Sequence, residues 1–153
     1  FISSVFWTEK IGPACALAFI KKHKKLNVGK KLISVGKKVK NIWAQAAKSN
    51  KLEIEVNGID PLASFKIKSN NWPAILTYFI QEMLKLKILA ADKCYANYKH
   101  DERALKIYEN ACNKIFEKIS QIEKKGNILS ELDGPIKEMG FNRLTDIRNI
   151  SKK

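Results

Sequence analysis

Leu52-Glu-Ile-Glu-Val56 and Ala63-Ser-Phe-Lys-Ile-Lys68 are the two stretches whose reading decides the fold. In each, apolar and polar residues alternate strictly, the period of a strand with one buried face and one wet face. Between them stand Asn57-Gly58 and Asp60-Pro61, both of turn-forming composition, so the pair predicts two half-exposed strands that are antiparallel neighbours.

The flanks read as helices. Upstream, Leu32, Val35, Val39, Ile42, Trp43 and Ala46 recur at helical spacing over residues 30–49, and Lys30, Lys31, Lys37, Lys38 and Lys48 lie largely off that stripe as a solvated face. An earlier helix over 13–25 follows Gly12-Pro13; its first half is nearly all apolar and is expected to be buried against a larger body. Downstream, Asn71 is placed to cap a helix with Pro73 in its first turn and an apolar face of Ile75, Leu76, Phe79, Ile80, Met83 and Leu84, ending near Lys87. Residues 88–91 and 93–98 read as one or two further strands, with Asp92 at a bend. Asp101 opens a last long helix, where Leu105, Tyr108, Cys112, Ile115, Ile119 and Ile122 step by threes and fours until Gly126 stops it. The tail, 126–153, predicts a short helix and an extended arm. The order of elements is that of a small α+β domain: a small antiparallel sheet with helices packed on it.

At 153 residues and 45% apolar content the chain has the size and composition of one globular domain. Its longest apolar stretches, 13–20 and 74–80, fall well short of the roughly 20 residues that span a bilayer, so no membrane partner is expected. Cys15, Cys94 and Cys112 are odd in number and far apart, which reads as reduced thiols packed as small hydrophobes in a cytoplasmic protein. His23 and His100 have no neighbour at metal-ligand spacing, so no metal site is expected.

The formal charge of +14 raises a second class of function, a stand-alone basic module that binds nucleic acid or an acidic surface. The balance of 26 Lys to 3 Arg argues against nucleic acid, because lysine presents a hydrated point charge rather than the planar fork that reads bases and phosphates.

The N-terminal stretch carries the chemistry. Residues 2–13, Ile-Ser-Ser-Val-Phe-Trp-Thr-Glu-Lys-Ile-Gly-Pro, set three hydroxyls (Ser3, Ser4, Thr8) and two aromatics (Phe6, Trp7) just ahead of a helix start. Free backbone N–H groups and the helix dipole favour an anion there, although a capping or loop role for Thr8 is the simpler reading of such a segment by itself. No methionine precedes Phe1, so the chain reads as the back part of a longer one.

Four segments together carry a resemblance. Ser3-Ser-Val-Phe-Trp-Thr-Glu-Lys-Ile-Gly-Pro13, Phe79-Ile-Gln-Glu-Met-Leu84, Tyr95-Ala-Asn-Tyr-Lys-His100 and Gly134-Pro-Ile-Lys-Glu-Met-Gly-Phe-Asn-Arg-Leu-Thr145 span nearly the whole chain. In that order they resemble the C-terminal portion of the class III pyridoxal-phosphate-dependent aminotransferases, of the glutamate-1-semialdehyde 2,1-aminomutase-like type. Val5 and Lys99 depart from the family pattern, which usually has Thr and Ala there.

The resemblance implies the small C-terminal domain of a fold-type I transferase with an α/β parent. Residues 1–12 would end the large cofactor-binding domain, 13–125 would form the linking helix and small domain, and 126–153 the tail. It implies pyridoxal 5'-phosphate as cofactor, with Thr8 hydrogen-bonding its phosphate across a homodimer interface; Trp7 beside it either shapes the pocket or the dimer contact or is a plain core residue. It also implies an amino-acid, aldehyde or keto substrate and a missing N-terminal large domain. That domain would hold the Schiff-base lysine, so no residue of this chain is expected to be catalytic and the chain alone is expected to be inactive. Asp92, Cys94 and Tyr95 fall where the family brings small-domain residues toward the substrate, with strand-end packing as the plainer role; His100 reads as structural or exposed.

Overall fold

The computed structural model describes residues 9–138 and Gly140. Its elements run α1 (Ile11–Lys25), α2 (Val28–Ser49), β1 (Ile54–Ile59), β2 (Leu62–Ile67), α3 (Trp72–Lys85), β3 (Lys93–Tyr95) and α4 (Glu102–Lys125), closed by a 3-10 turn at Ile128–Glu131. The strands form one antiparallel sheet in the order β1-β2-β3. The expected mixed α+β architecture is therefore present. The tail beyond residue 140, with Phe141 and the end of the last family-like segment, lies outside the described residues.

The alternation in the two deciding stretches sets the sheet. Ala63, Phe65 and Ile67 of β2 are buried, while Leu62 and Lys66 are exposed and Ser64 is half-buried. Register follows from that pattern: Val56 opposes Phe65 and Ile54 opposes Ile67, so the apolar faces of both strands coincide. One expectation is corrected here. Asn57 and Gly58 are not the turn but part of β1, opposite Ser64 and Ala63, and the chain reverses at Asp60-Pro61. Gly58 serves a different need. Its φ is +83°, and a Cβ there would stand 2.3 Å from the Leu62 carbonyl oxygen.

Helix α2 lies across this hairpin. A Cβ on Gly36 would fall 1.6 Å from the Asp60 carbonyl oxygen, so only glycine admits the turn against the helix. One helical turn on, the Lys40 ammonium donates to the Gly58 carbonyl at 2.7 Å and to Asp60 Oδ1 at 3.0 Å, which satisfies the backbone at the tip.

Phe65 is the hub of the core. Its ring stands 4.9 Å from Trp43 of α2, 5.8 Å from Trp72 and 5.3 Å from Phe79 of α3, and 5.7 Å from Phe116 of α4. One strand residue thus joins three helices, and each such ring pair stabilises by roughly 0.5–1.5 kcal/mol beyond its burial. The stripe read on α4 faces this core, with Tyr108 half-buried at its edge. The Asp101 carboxylate accepts from the Ala104 N–H at 2.8 Å and starts that helix; Gly126 ends it at φ +69°.

Helix α3 starts at Trp72 with Pro73 beside it, but the Asn71 side chain makes no cap; the Asn71 N–H instead donates to Ser69 Oγ at 3.1 Å. Its far end carries a buried carboxylate. Glu82 is 9% exposed and accepts from Lys118 of α4 at 2.6 Å and from Lys85 at 2.9 Å, and Lys85 also meets Asp133 at 2.9 Å. Burial alone would push the Glu82 carboxyl up, but the hydrogen bonds from Lys118 and Lys85 outweigh it and hold the group down at about 2.

Of the stretches read as one or two further strands, 93–98 holds one, β3, and 88–91 makes none, because the α3 terminus turns back on itself: the Lys87 N–H donates to Leu84 O and the Ile88 N–H to Met83 O, with Lys87 left-handed at φ 61°. Helix α1 begins at Ile11, two residues ahead of Pro13, which sits in the first turn where its missing N–H leaves no bond unmade. No residue of α1 is buried among the described residues.

Candidate functional site

Thr8 and Trp7, the residues expected to hold the cofactor phosphate, lie outside the described residues. What the described residues do bring together is a cavity of about 560 Å³ beside β3. Three pieces of chain build it. The turn after α3 brings Lys87, Ile88 and Leu89, β3 brings Lys93, Cys94 and Tyr95, and the start of α4 brings His100, Leu105 and Tyr108. Val39 of α2 also lines it.

Local sequence explains the shape. Strand β3 is held by β2 on one side only, with Cys94 opposite Ala63 and Tyr95 opposite Leu62. The Phe65 N–H donates to the Asp92 carbonyl at 2.9 Å and the Ala96 N–H to the Pro61 carbonyl at 2.9 Å, which fixes both strand ends. The chain then turns through Asn97, whose N–H donates to His100 Nδ1 at 3.3 Å and whose Oδ1 accepts from the Lys99 N–H at 2.9 Å. An accepting Nδ1 leaves the proton of the neutral ring on Nε2.

The inner wall is apolar with one polar pair behind it. Tyr108 OH accepts from Trp43 Nε1 at 2.8 Å, and the Cys112 thiol lies buried one turn further along α4. Burial raises the Tyr108 hydroxyl well above its ordinary value and pushes the Cys112 thiol up to about 12, so both stay neutral. Burial also raises Cys94. None of these is an activated nucleophile.

The cysteines depart from the sequence expectation in one case: Cys112 is buried and Cys94 half-buried, but Cys15 on α1 is exposed. Of the residues expected near the substrate, Cys94 and Tyr95 line the cavity, while Asp92 works at the strand end through its carbonyl. His100 both closes the turn and lines the cavity. Lys87, Leu89 and Tyr108 were not anticipated there. The one available signal was Tyr108, the single hydroxyl in an otherwise apolar stripe.

Pyridoxal phosphate does not fit these residues as a complete site. No Asp or Glu lines the cavity to meet a pyridine nitrogen, and no lysine among the described residues is buried. The described residues also hold no cluster of three or more His, Cys, Asp or Glu. None of their helices is long and apolar enough to cross a membrane. Comparison of the chain with protein-family models, with curated proteins and with solved structures gives no match.

Proposed function

We propose that this chain is the C-terminal small domain of a class III pyridoxal-phosphate-dependent aminotransferase or aminomutase. The intact protein would move an amino group on an amino-acid, aldehyde or keto substrate. The cofactor and its lysine belong to a preceding large domain. This chain supplies two things: Thr8 as a hydrogen-bond donor to the cofactor phosphate of a neighbouring subunit, and the β3 cavity as a wall closed over the substrate.

The four family-like segments in order support this reading, and one structural observation carries its central requirement, a larger body. Helix α1 has Ile11, Leu17 and Phe19 at 69%, 61% and 68% exposure on a domain whose other helices bury a full core. A helix apolar around its girth belongs in an interior.

The test is cofactor retention in the longer protein. Thr8→Ala removes one charge-assisted hydrogen bond to phosphate and is expected to weaken pyridoxal phosphate binding by roughly 1.5–3 kcal/mol. Unchanged affinity in a cofactor titration would count against the assignment of Thr8. The chain alone is expected to show no transaminase activity.

A second reading, a basic module for an anionic surface, has one observation in its favour. Between Glu9 and Glu53 the chain holds 12 lysines and no Asp or Glu. It predicts DNA binding that weakens steeply with salt.

A further inference from the structure

We propose that the β3 cavity selects an organic anion, an apolar or aromatic body bearing one carboxylate, with Lys87 and Lys93 as its cationic partners. The proposal rests on the reading of this domain as the substrate-closing part of a larger enzyme, and names the class of substrate it would admit.

Size and lining come first. At about 560 Å³ the cavity falls within the range of roughly 300–1,000 Å³ typical of small-molecule sites, which are mostly apolar with a few placed polar groups. Val39, Ile88, Leu105 and the Tyr108 ring give it an apolar body that would hold an alkyl or aryl group. The polar groups are one-sided in charge. Lys87 and Lys93 line it and no carboxylate does.

The acids nearest along the α4 start are occupied elsewhere. Asp101 accepts from the Ala104 N–H, and Glu102 pairs with Lys38 of α2. Neither lysine of the cavity has an ion-pair partner among the described residues. Among the lining residues a carboxylate finds two cations and no like charge, whereas an ammonium finds no counter-charge. Lysine is a point charge on a flexible stem, so the site reads the negative charge of the carboxylate rather than its planar two-point shape.

The backbone supplies a matched control. Lys51 after α2 and Lys87 after α3 occupy the same left-handed position past a helix end, at φ 56° and 61°. Glycine at either place relieves the same conformational strain, but only Lys87 lines the cavity.

The experiment titrates the 153-residue chain, without cofactor, with 4-phenylbutyrate and with 4-phenylbutan-1-ol, following backbone amide shifts by NMR. Shifts centred on residues 87–95 and 104–108, with the carboxylate bound about tenfold more tightly than the alcohol, are expected. Lys87→Gly and Lys93→Gln should each erode that preference, and Lys51→Gly should leave it intact. Equal affinity for acid and alcohol, shifts elsewhere, or identical effects of Lys51→Gly and Lys87→Gly would overturn the proposal. Because no cofactor is present, the outcome is separate from that of the proposed function: a longer protein that holds no pyridoxal phosphate would sink the enzyme reading, whatever the titration shows.

Discussion

Helices α1 and α4 are both regular and both rich in apolar residues, yet α4 buries eight of its residues and α1 none. The difference lies in spacing rather than composition. On α4 the apolar residues step by threes and fours and fall on one face, which α2 and α3 cover, with Phe65 of the sheet against Phe116. The first half of α1, Ala14-Cys-Ala-Leu-Ala-Phe-Ile20, is apolar on every side, and none of it is buried among the described residues. Most helical stability in proteins comes from packing a face. The contrast divides the described residues into a core, α2 to α4 with the sheet, and a helix that buries no residue against it.

Substitutions on the two sides of that division should differ sharply. The largest effect belongs to Phe65→Ala, which empties the point where three helices meet and should cost about 3–5 kcal/mol in denaturant unfolding, a large share of the roughly 5–15 kcal/mol of an ordinary domain.

Next comes Glu82. Its folded carboxyl sits at about 2 against an ordinary 4.5, so its contribution is fully present above pH 4.5 and is lost as pH falls toward 2. The size is on the order of 3 kcal/mol, read as a falling urea midpoint across that window that Glu82→Gln does not share.

Gly36→Ala presses a methyl onto the Asp60 carbonyl and should cost about 1–3 kcal/mol, visible as a lowered melting temperature. Smallest is the double change Leu17→Ser with Phe19→Ser in α1. It should move the stability of the chain alone by no more than about 0.5 kcal/mol while reducing self-association in sedimentation. A loss as large as that of Phe65→Ala would break the division between core and docking helix.

Much of the core was legible because it is periodic. The β1 and β2 alternation and the α4 stripe each name a face, and burial follows them residue by residue. What was not legible depends on long-range contact. Asn57-Gly58 has the composition of a turn and is a strand, because α2 packs at Gly36 against Asp60 and fixes the reversal there. Residues 88–91 are apolar enough for a strand, but the α3 terminus bends them into the cavity wall. The site divided in the same way. Cys94 and Tyr95, singled out by the resemblance with strand-end packing as the plainer role, both lie in strand β3 and line the cavity, whereas Lys87 was hidden because one lysine among 26 carries no local mark of where it ends up.

The central claim, that α1 and the residues before it contact a cofactor domain, is tested most directly by the visible absorption of a protein that carries this chain behind its own preceding sequence. The absorption band of bound pyridoxal phosphate is expected, diminished by Thr8→Ala. A colourless protein that instead binds DNA with a steep salt dependence would contradict it.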